Sequence, residues 1–176
     1  IKVGDSGEDQ LVQWWYPADP KPNDDNGGHI YSELLQETLQ AHPSEAEPHH
    51  PAVRDRYTTL RQAAFNRGVP LVRFNHMLAA RMLAARSSKP RAGDWPVIWL
   101  DGDAAFADEL ASHGMLVVST PKPFGSPWNL EQRVQAARAG IEETRKRFQV
   151  SLKRIGFIGM LDGAPVAARL NGYYPQ

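Results

Sequence analysis

The feature that most constrains this chain is a glycine-bracketed segment within residues 154–168. A short apolar run at 155–158 is followed by a tight segment between Gly159 and Gly163, and then by small residues. The apolar run predicts a buried strand, and the alanine-rich continuation predicts a helix, so a sharp strand-to-helix turn joins them. The centre of that turn is Leu161, which offers no hydroxyl, thiol or carboxylate for attack on a carbonyl.

The residues before this segment alternate between strand and helix patterns. Continuous apolar runs at 96–100 and 115–119 predict strands that are buried on both faces. A helix is predicted over 104–113, and another follows Asn129, because Asn129 and Gln132 have capping-box spacing. The order of elements predicts an α/β fold with a mostly parallel sheet flanked by helices, in three α/β/α layers.

The first half of the chain has a different pattern. Aromatic and β-branched residues over 11–17 predict one strand. Residues 30–90 show helical periodicity and many arginines, so we interpret them as a helical insertion within a single domain of residues 1–176. An apolar content of 41% is ordinary for a globular protein with a proper core.

Charge is unevenly distributed, although the formal net charge is zero. Residues 1–52 carry two basic and ten acidic residues, whereas residues 53–91 carry nine basic residues and one acidic residue. Because these charges cancel, we favour internal pairing of the two segments. An exposed basic patch on 53–91 that binds an anion or a nucleic acid is the less favoured alternative.

Composition excludes several kinds of site. Because there is no cysteine, disulfides, thiolate nucleophiles and cysteine zinc sites are excluded. No apolar stretch is long enough to span a bilayer, so we predict no membrane association. The histidines at 29, 42, 49 and 50 lack metal-ligand spacing, and we predict neither a metal nor a cofactor. Because the chain begins at Ile1 rather than Met, we expect a segment upstream; a periplasmic or secreted location stays open.

Four segments resemble the platelet-activating-factor acetylhydrolase and dienelactone-hydrolase-like branch of the α/β-hydrolases. They are the "WYPA" strand at 12–18, the third strand and oxyanion turn at 95–102, the "ELASHG" segment at 109–118, and the glycine-bracketed turn at 159–163. The resemblance covers about half of the chain, mostly 95–170, and implies a truncated fold of the esterase or acylhydrolase class. It places Leu161, between Met160 and Asp162, in the serine position of the nucleophile elbow G-x-S-x-G.

Three departures from the family pattern argue against catalysis. Leu161 replaces the nucleophile. The oxyanion turn is Asp101-Gly102 where this branch usually has His-Gly, and an anionic Asp101 would oppose a developing oxyanion. The family's acid and histidine follow the elbow, but Asp162 is the only acidic residue or histidine after Leu161. We therefore predict a pseudoenzyme that acts as a binding or assembly module.

An alternative is that this chain is part of a serine esterase. Its remaining strands and catalytic residues would then come from another chain or from further sequence. In that case the apolar strand at 155–158 would be a sheet edge, and such edges pair with other chains, giving a homo- or hetero-oligomer.

Four further residues are candidates for a pocket near the carboxyl edge of the sheet: Trp99, Ser119, Ser126 and Trp128. The serines have no candidate base nearby in sequence, and tryptophans in strands more often belong to the core.

Other residues near these segments have structural interpretations. We interpret Ser112 and His113 as a helix end and not as a catalytic dyad. Asp162 is expected to cap the helix after the elbow. Leu161 is expected either to lie in a relaxed turn or to fill the space of a former substrate.

Overall fold

The computed structural model describes residues 2–3, 8–9, 11–18, 90–102, 104–121 and 128–174. In chain order its elements are β1 (Lys2–Val3), β2 (Glu8–Asp9), β3 (Gln13–Trp15), β4 (Val97–Asp101), α1 (Ala104–Ser112), β5 (Leu116–Ser119), α2 (Leu130–Phe148), β6 (Ile155–Gly159) and α3 (Ala164–Tyr173). Short 3-10 turns at Leu152–Arg154 and Leu161–Gly163 flank β6. Apart from residue 90, the predicted insertion at 30–90 lies outside the described residues and stays a prediction.

The larger sheet has the strand order β3-β5-β4-β6. Strand β4 is central and runs parallel to both β5 and β6, whereas β3 pairs antiparallel with β5. Helix α1 connects β4 to β5, and α2 connects β5 to β6. A mostly parallel sheet with helices is therefore confirmed as the α/β core of the described residues. Strands β1 and β2 form a separate antiparallel pair.

Apolar side chains from the sheet and two helices form the core. The continuous apolar runs bury three of the five residues of β4 and all four residues of β5, as expected for strands covered on both faces. One cluster joins the strands to α2 and α3; it contains Val97, Trp99, Leu116, Val118, Val134, Ala137, Ile141, Val150, Ile155, Val166 and Leu170. Each fully buried Val, Leu or Ile side chain contributes about 1.5–3 kcal/mol, so this cluster stabilises the packing of α2 and α3 against the sheet.

Several polar groups in and beside this core are hydrogen-bonded. The Trp14 indole donates to the hydroxyl of Thr144 at 2.8 Å, and that hydroxyl donates to the Gly140 carbonyl at 2.6 Å. The indole of Trp99, which is 1% exposed, donates to the hydroxyl of Thr120 at 3.1 Å. These bonds offset the desolvation of the polar groups.

The ends of the helices follow their local sequence. The predicted capping box of α2 is confirmed, because the Asn129 side chain accepts from the Gln132 amide and the Gln132 side chain accepts from the Asn129 amide. Helix α2 ends at Phe148, and its C-cap residue Gln149 has a left-handed φ of 53°. Gly114, which follows the end of α1, has a φ of 86°. In the described part of the chain, no helix is both long and apolar enough to cross a bilayer.

Candidate functional site: the turn between β6 and α3

In the turn at 160–163 the backbone changes direction at Leu161. Met160 continues the extended backbone of β6, with φ −102° and ψ 140°, and Leu161 then takes a left-handed φ of 53°. The Gly163 amide donates to the Met160 carbonyl at 2.8 Å, which closes the turn before α3 begins. Because the left-handed region costs an ordinary residue about 1–2 kcal/mol, Leu161 is held there against its own preference.

Two glycines make this turn possible. A Cβ atom on Gly159 would lie 2.2 Å from the Gly163 carbonyl oxygen. A Cβ atom on Gly163 would lie 2.7 Å from Oδ2 of Asp101. Because both distances are far below van der Waals contact, the four-residue spacing of the glycines is required by the close approach of the backbone to itself and to the end of β4.

The side chain of Leu161 points into solvent and is 84% exposed. Met160 is partly exposed, and its sulfur lies beside Gly102, where an added Cβ would be 2.9 Å away. Neither expectation for Leu161 holds, since the turn keeps its left-handed backbone and the side chain fills no enclosed space. The cost of the conformation is therefore not offset by burial of this leucine.

The structure brings the predicted oxyanion turn to the turn at 160–163. Asp101 pairs in register with Gly159, and its carbonyl accepts from the Met160 amide at 3.0 Å. Gly102 follows as an exposed residue directly after β4. Residues far apart in sequence thus meet at the carboxyl ends of two parallel strands, which is where open α/β sheets bind ligands.

An arginine from α2 binds the acidic residues of this site. The Arg133 guanidinium donates to the Asp101 carboxylate through Nη2. Its Nη1 donates to the Asp162 carbonyl at 2.7 Å and to the Asp162 carboxylate at 3.1 Å. The Arg133 side chain is only 12% exposed, whereas that of Asp162 is 76% exposed. A guanidinium thus compensates the charge of Asp101.

The expected capping role of Asp162 is wrong. The N-cap of α3 is Gly163, and no side chain bonds there. The Asp162 carboxylate instead accepts from Arg133, because a charged donor outcompetes a neutral backbone amide for it.

Sequence reasoning missed Arg133, although one signal for it exists. Its amide donates to the carbonyl of the N-cap Asn129, so Arg133 lies at the start of α2. A cation is unfavourable near the positive end of a helix dipole. An arginine at this place therefore indicates an acidic partner elsewhere in the fold.

The described candidates for the predicted pocket lie in the core, at the end of β5 and before α2. Trp99 belongs to the core cluster, and Ser119 is buried at the end of β5. Trp128 is half-buried just before α2. Ser126 lies outside the described residues.

Ser112 and His113 both bind one residue of α1. The Ser112 hydroxyl donates to the Glu109 carbonyl at 2.7 Å, and His113 Nε2 lies 3.0 Å from the Glu109 carboxylate. Both residues are exposed. These contacts confirm that the pair forms a helix end.

Within the described ranges, no three histidine or acidic residues come close enough to hold a metal ion. The histidines at 29, 42, 49 and 50 lie outside those ranges. Searches with protein-family models, curated proteins and solved structures found no match to this chain.

Proposed function

We propose that this chain is an α/β-hydrolase-like domain that has no hydrolase activity of its own and serves as a binding or assembly module. The main support for this proposal is the conformation of Leu161. Its left-handed backbone and solvent-directed side chain are what an elbow requires of its nucleophile, but the side chain is a hydrocarbon.

The surroundings of the turn support the hydrolase-like part of the proposal. In such folds the amide after the nucleophile and an amide from the loop after a neighbouring strand form the oxyanion hole. Here those positions are Asp162 and the loop that begins at Gly102. We also propose three layers, with α1 on one face of the sheet and both α2 and α3 on the other. The burial of Ala107 and Ala111 of α1 supports this arrangement.

The chemistry of the described side chains supports the inactive part. Arg133 carries no basic lone pair at neutral pH, so it cannot take a proton from a nucleophile. The carboxylates of Asp101 and Asp162 are both engaged by Arg133. We therefore expect neither nucleophilic attack nor general-base catalysis at this turn.

An ester-hydrolysis assay tests the proposal. With p-nitrophenyl acetate and butyrate we expect no release of nitrophenol above the buffer rate. We expect Leu161→Ser to behave like its matched control Leu161→Ala, because a hydroxyl without a base is a weak nucleophile. Saturable turnover by the parent chain, or by the serine variant but not the alanine variant, would contradict it.

The second candidate is a part of an esterase completed by another chain or further sequence. It is favoured by one observation: among the described strands, β6 pairs with β4 alone. Native mass spectrometry tests the route through a second chain, for which we expect a defined oligomer. A monomer at all concentrations removes that route. The anion-binding alternative concerns residues 53–91, of which the structure describes only 90 and 91.

A further inference from the structure

We infer that Arg133 is a positioning residue that holds Leu161 in its left-handed conformation. It does so by joining the end of β4, through Asp101, to the elbow, through the carbonyl and carboxylate of Asp162. This inference concerns the shape of the turn, so it goes beyond the proposed function and holds whatever the turn binds.

The left-handed conformation of Leu161 must be stabilised by contacts outside its own side chain. Leu161 gains little by burial, so contacts around it must offset its backbone cost. Three backbone hydrogen bonds contribute: from the Met160 amide to the Asp101 carbonyl, from the Gly163 amide to the Met160 carbonyl, and from the Ala164 amide to the Leu161 carbonyl. None of the three joins the turn to α2.

Arg133 adds a link from the turn to α2 through the peptide unit between Asp162 and Gly163. Its Nη1 binds the Asp162 carbonyl, one residue after the left-handed position, while Nη2 is fixed by Asp101. A planar guanidinium with two anchored nitrogens restricts orientation more than a flexible ammonium does. Because the side chain is largely buried and comes from α2, it ties the turn to an element outside β6 and α3.

A double-mutant cycle separates this role from general stabilisation. Asparagine tolerates the left-handed region better than leucine, and replacing an exposed leucine removes little buried surface. We expect Leu161→Asn to raise the folding equilibrium constant on the order of fivefold in the parent chain. In an Arg133→Gln background the turn relaxes, and we expect the same substitution to have almost no effect.

The chain offers a matched control. Gln149 has the same φ of 53° and is exposed, but it ends α2 far along the sequence from Arg133. We expect the effect of Gln149→Asn to be equal in the parent and Arg133→Gln backgrounds. An arginine that only stabilised the fold in general would leave the effects of Leu161→Asn and Gln149→Asn unchanged between the two backgrounds. A change at position 161 alone therefore indicates a positioning role.

Urea unfolding of these six proteins, with amide hydrogen exchange at 160–163, measures the effect. Arg133→Lys replaces Arg133→Gln if the glutamine variant does not fold, and we expect it to keep only part of the coupling to Leu161. Equal Leu161→Asn effects in both backgrounds, with unchanged exchange at 160–163, would overturn the inference. Ester hydrolysis is not a readout here, so the proposed function can fail independently.

Discussion

Two connections flank β6, and they use the same backbone angle for different reasons. The connection at 149–154 begins with Gln149, and the one at 160–163 is centred on Leu161, each at a φ of 53°. Gln149 is a polar residue at a helix C-terminus, where left-handed residues are common. Leu161 is an apolar residue between a strand and a helix. A positive φ therefore acquires functional meaning only from what surrounds it.

The arginines that bind at the two connections also have different surroundings. Arg154 binds Asp94 with Nη2 3.0 Å from Oδ2, and its side chain is 56% exposed. Arg133 is largely buried and binds two aspartates. The first connection is stabilised by an exposed ion pair. The second is stabilised by a largely buried guanidinium that binds two aspartates from different parts of the chain.

The largest effect is expected from Gly159→Ala. Its Cβ would collide with the Gly163 carbonyl, which is backbone and cannot move without opening the turn, so we expect a loss of about 3 kcal/mol or more in unfolding free energy. Gly172→Ala in α3 is the control, because its Cβ meets nothing within 4 Å and alanine favours helix; we expect a gain of up to about 1 kcal/mol. Urea titration measures both. Equal effects would show that the turn is not tightly closed.

The next effect separates the two arginines. Arg133→Met leaves the partly buried Asp101 carboxylate without its guanidinium, so we expect a loss of about 2–3 kcal/mol. Arg154→Met removes an exposed ion pair, and we expect a loss below about 1 kcal/mol that shrinks further with added salt. Unfolding free energies at low and high ionic strength compare them. The contrast between the connections disappears if both variants lose the same amount and respond equally to salt.

These contrasts show which features could be predicted from sequence. The strands β4 and β5 and the start of α2 have signals within a few residues, namely continuous apolar runs and the capping spacing of Asn129 and Gln132. The turn at Leu161 could be located because both of its glycines lie within five residues of sequence.

The cluster around the turn could not be predicted in the same way. Arg133 lies 32 residues from Asp101 and 29 from Asp162, and no local pattern joins such positions. The capping role expected for Asp162 failed because a partner from α2 binds its carboxylate. The exposure of Leu161 also depends on tertiary structure, since burial at a corner is decided by distant segments.

The smallest effect concerns the far end of the helix that follows the second connection. Tyr174 packs against Phe157 of β6, with ring centroids 5.7 Å apart. Burial, and then the nearby charge of Glu142, raise the pKa of Tyr174 above 10.0, although Arg138 opposes this. The folded state thus retains a proton that the unfolded chain releases first as pH rises.

The stabilisation from Tyr174 is therefore fully present below pH 10 and is lost as pH rises through its folded-state pKa. Urea unfolding between pH 8 and pH 11.5 should show a shallower alkaline decline for Tyr174→Phe than for the parent, because phenylalanine keeps the ring contact and cannot ionise. Parallel curves would show that Tyr174 ionises alike in both states. The contact between Tyr174 and Phe157 would then not stabilise the end of α3 against β6. The stabilising contacts of the second connection would be limited to those at the turn, including those of Arg133.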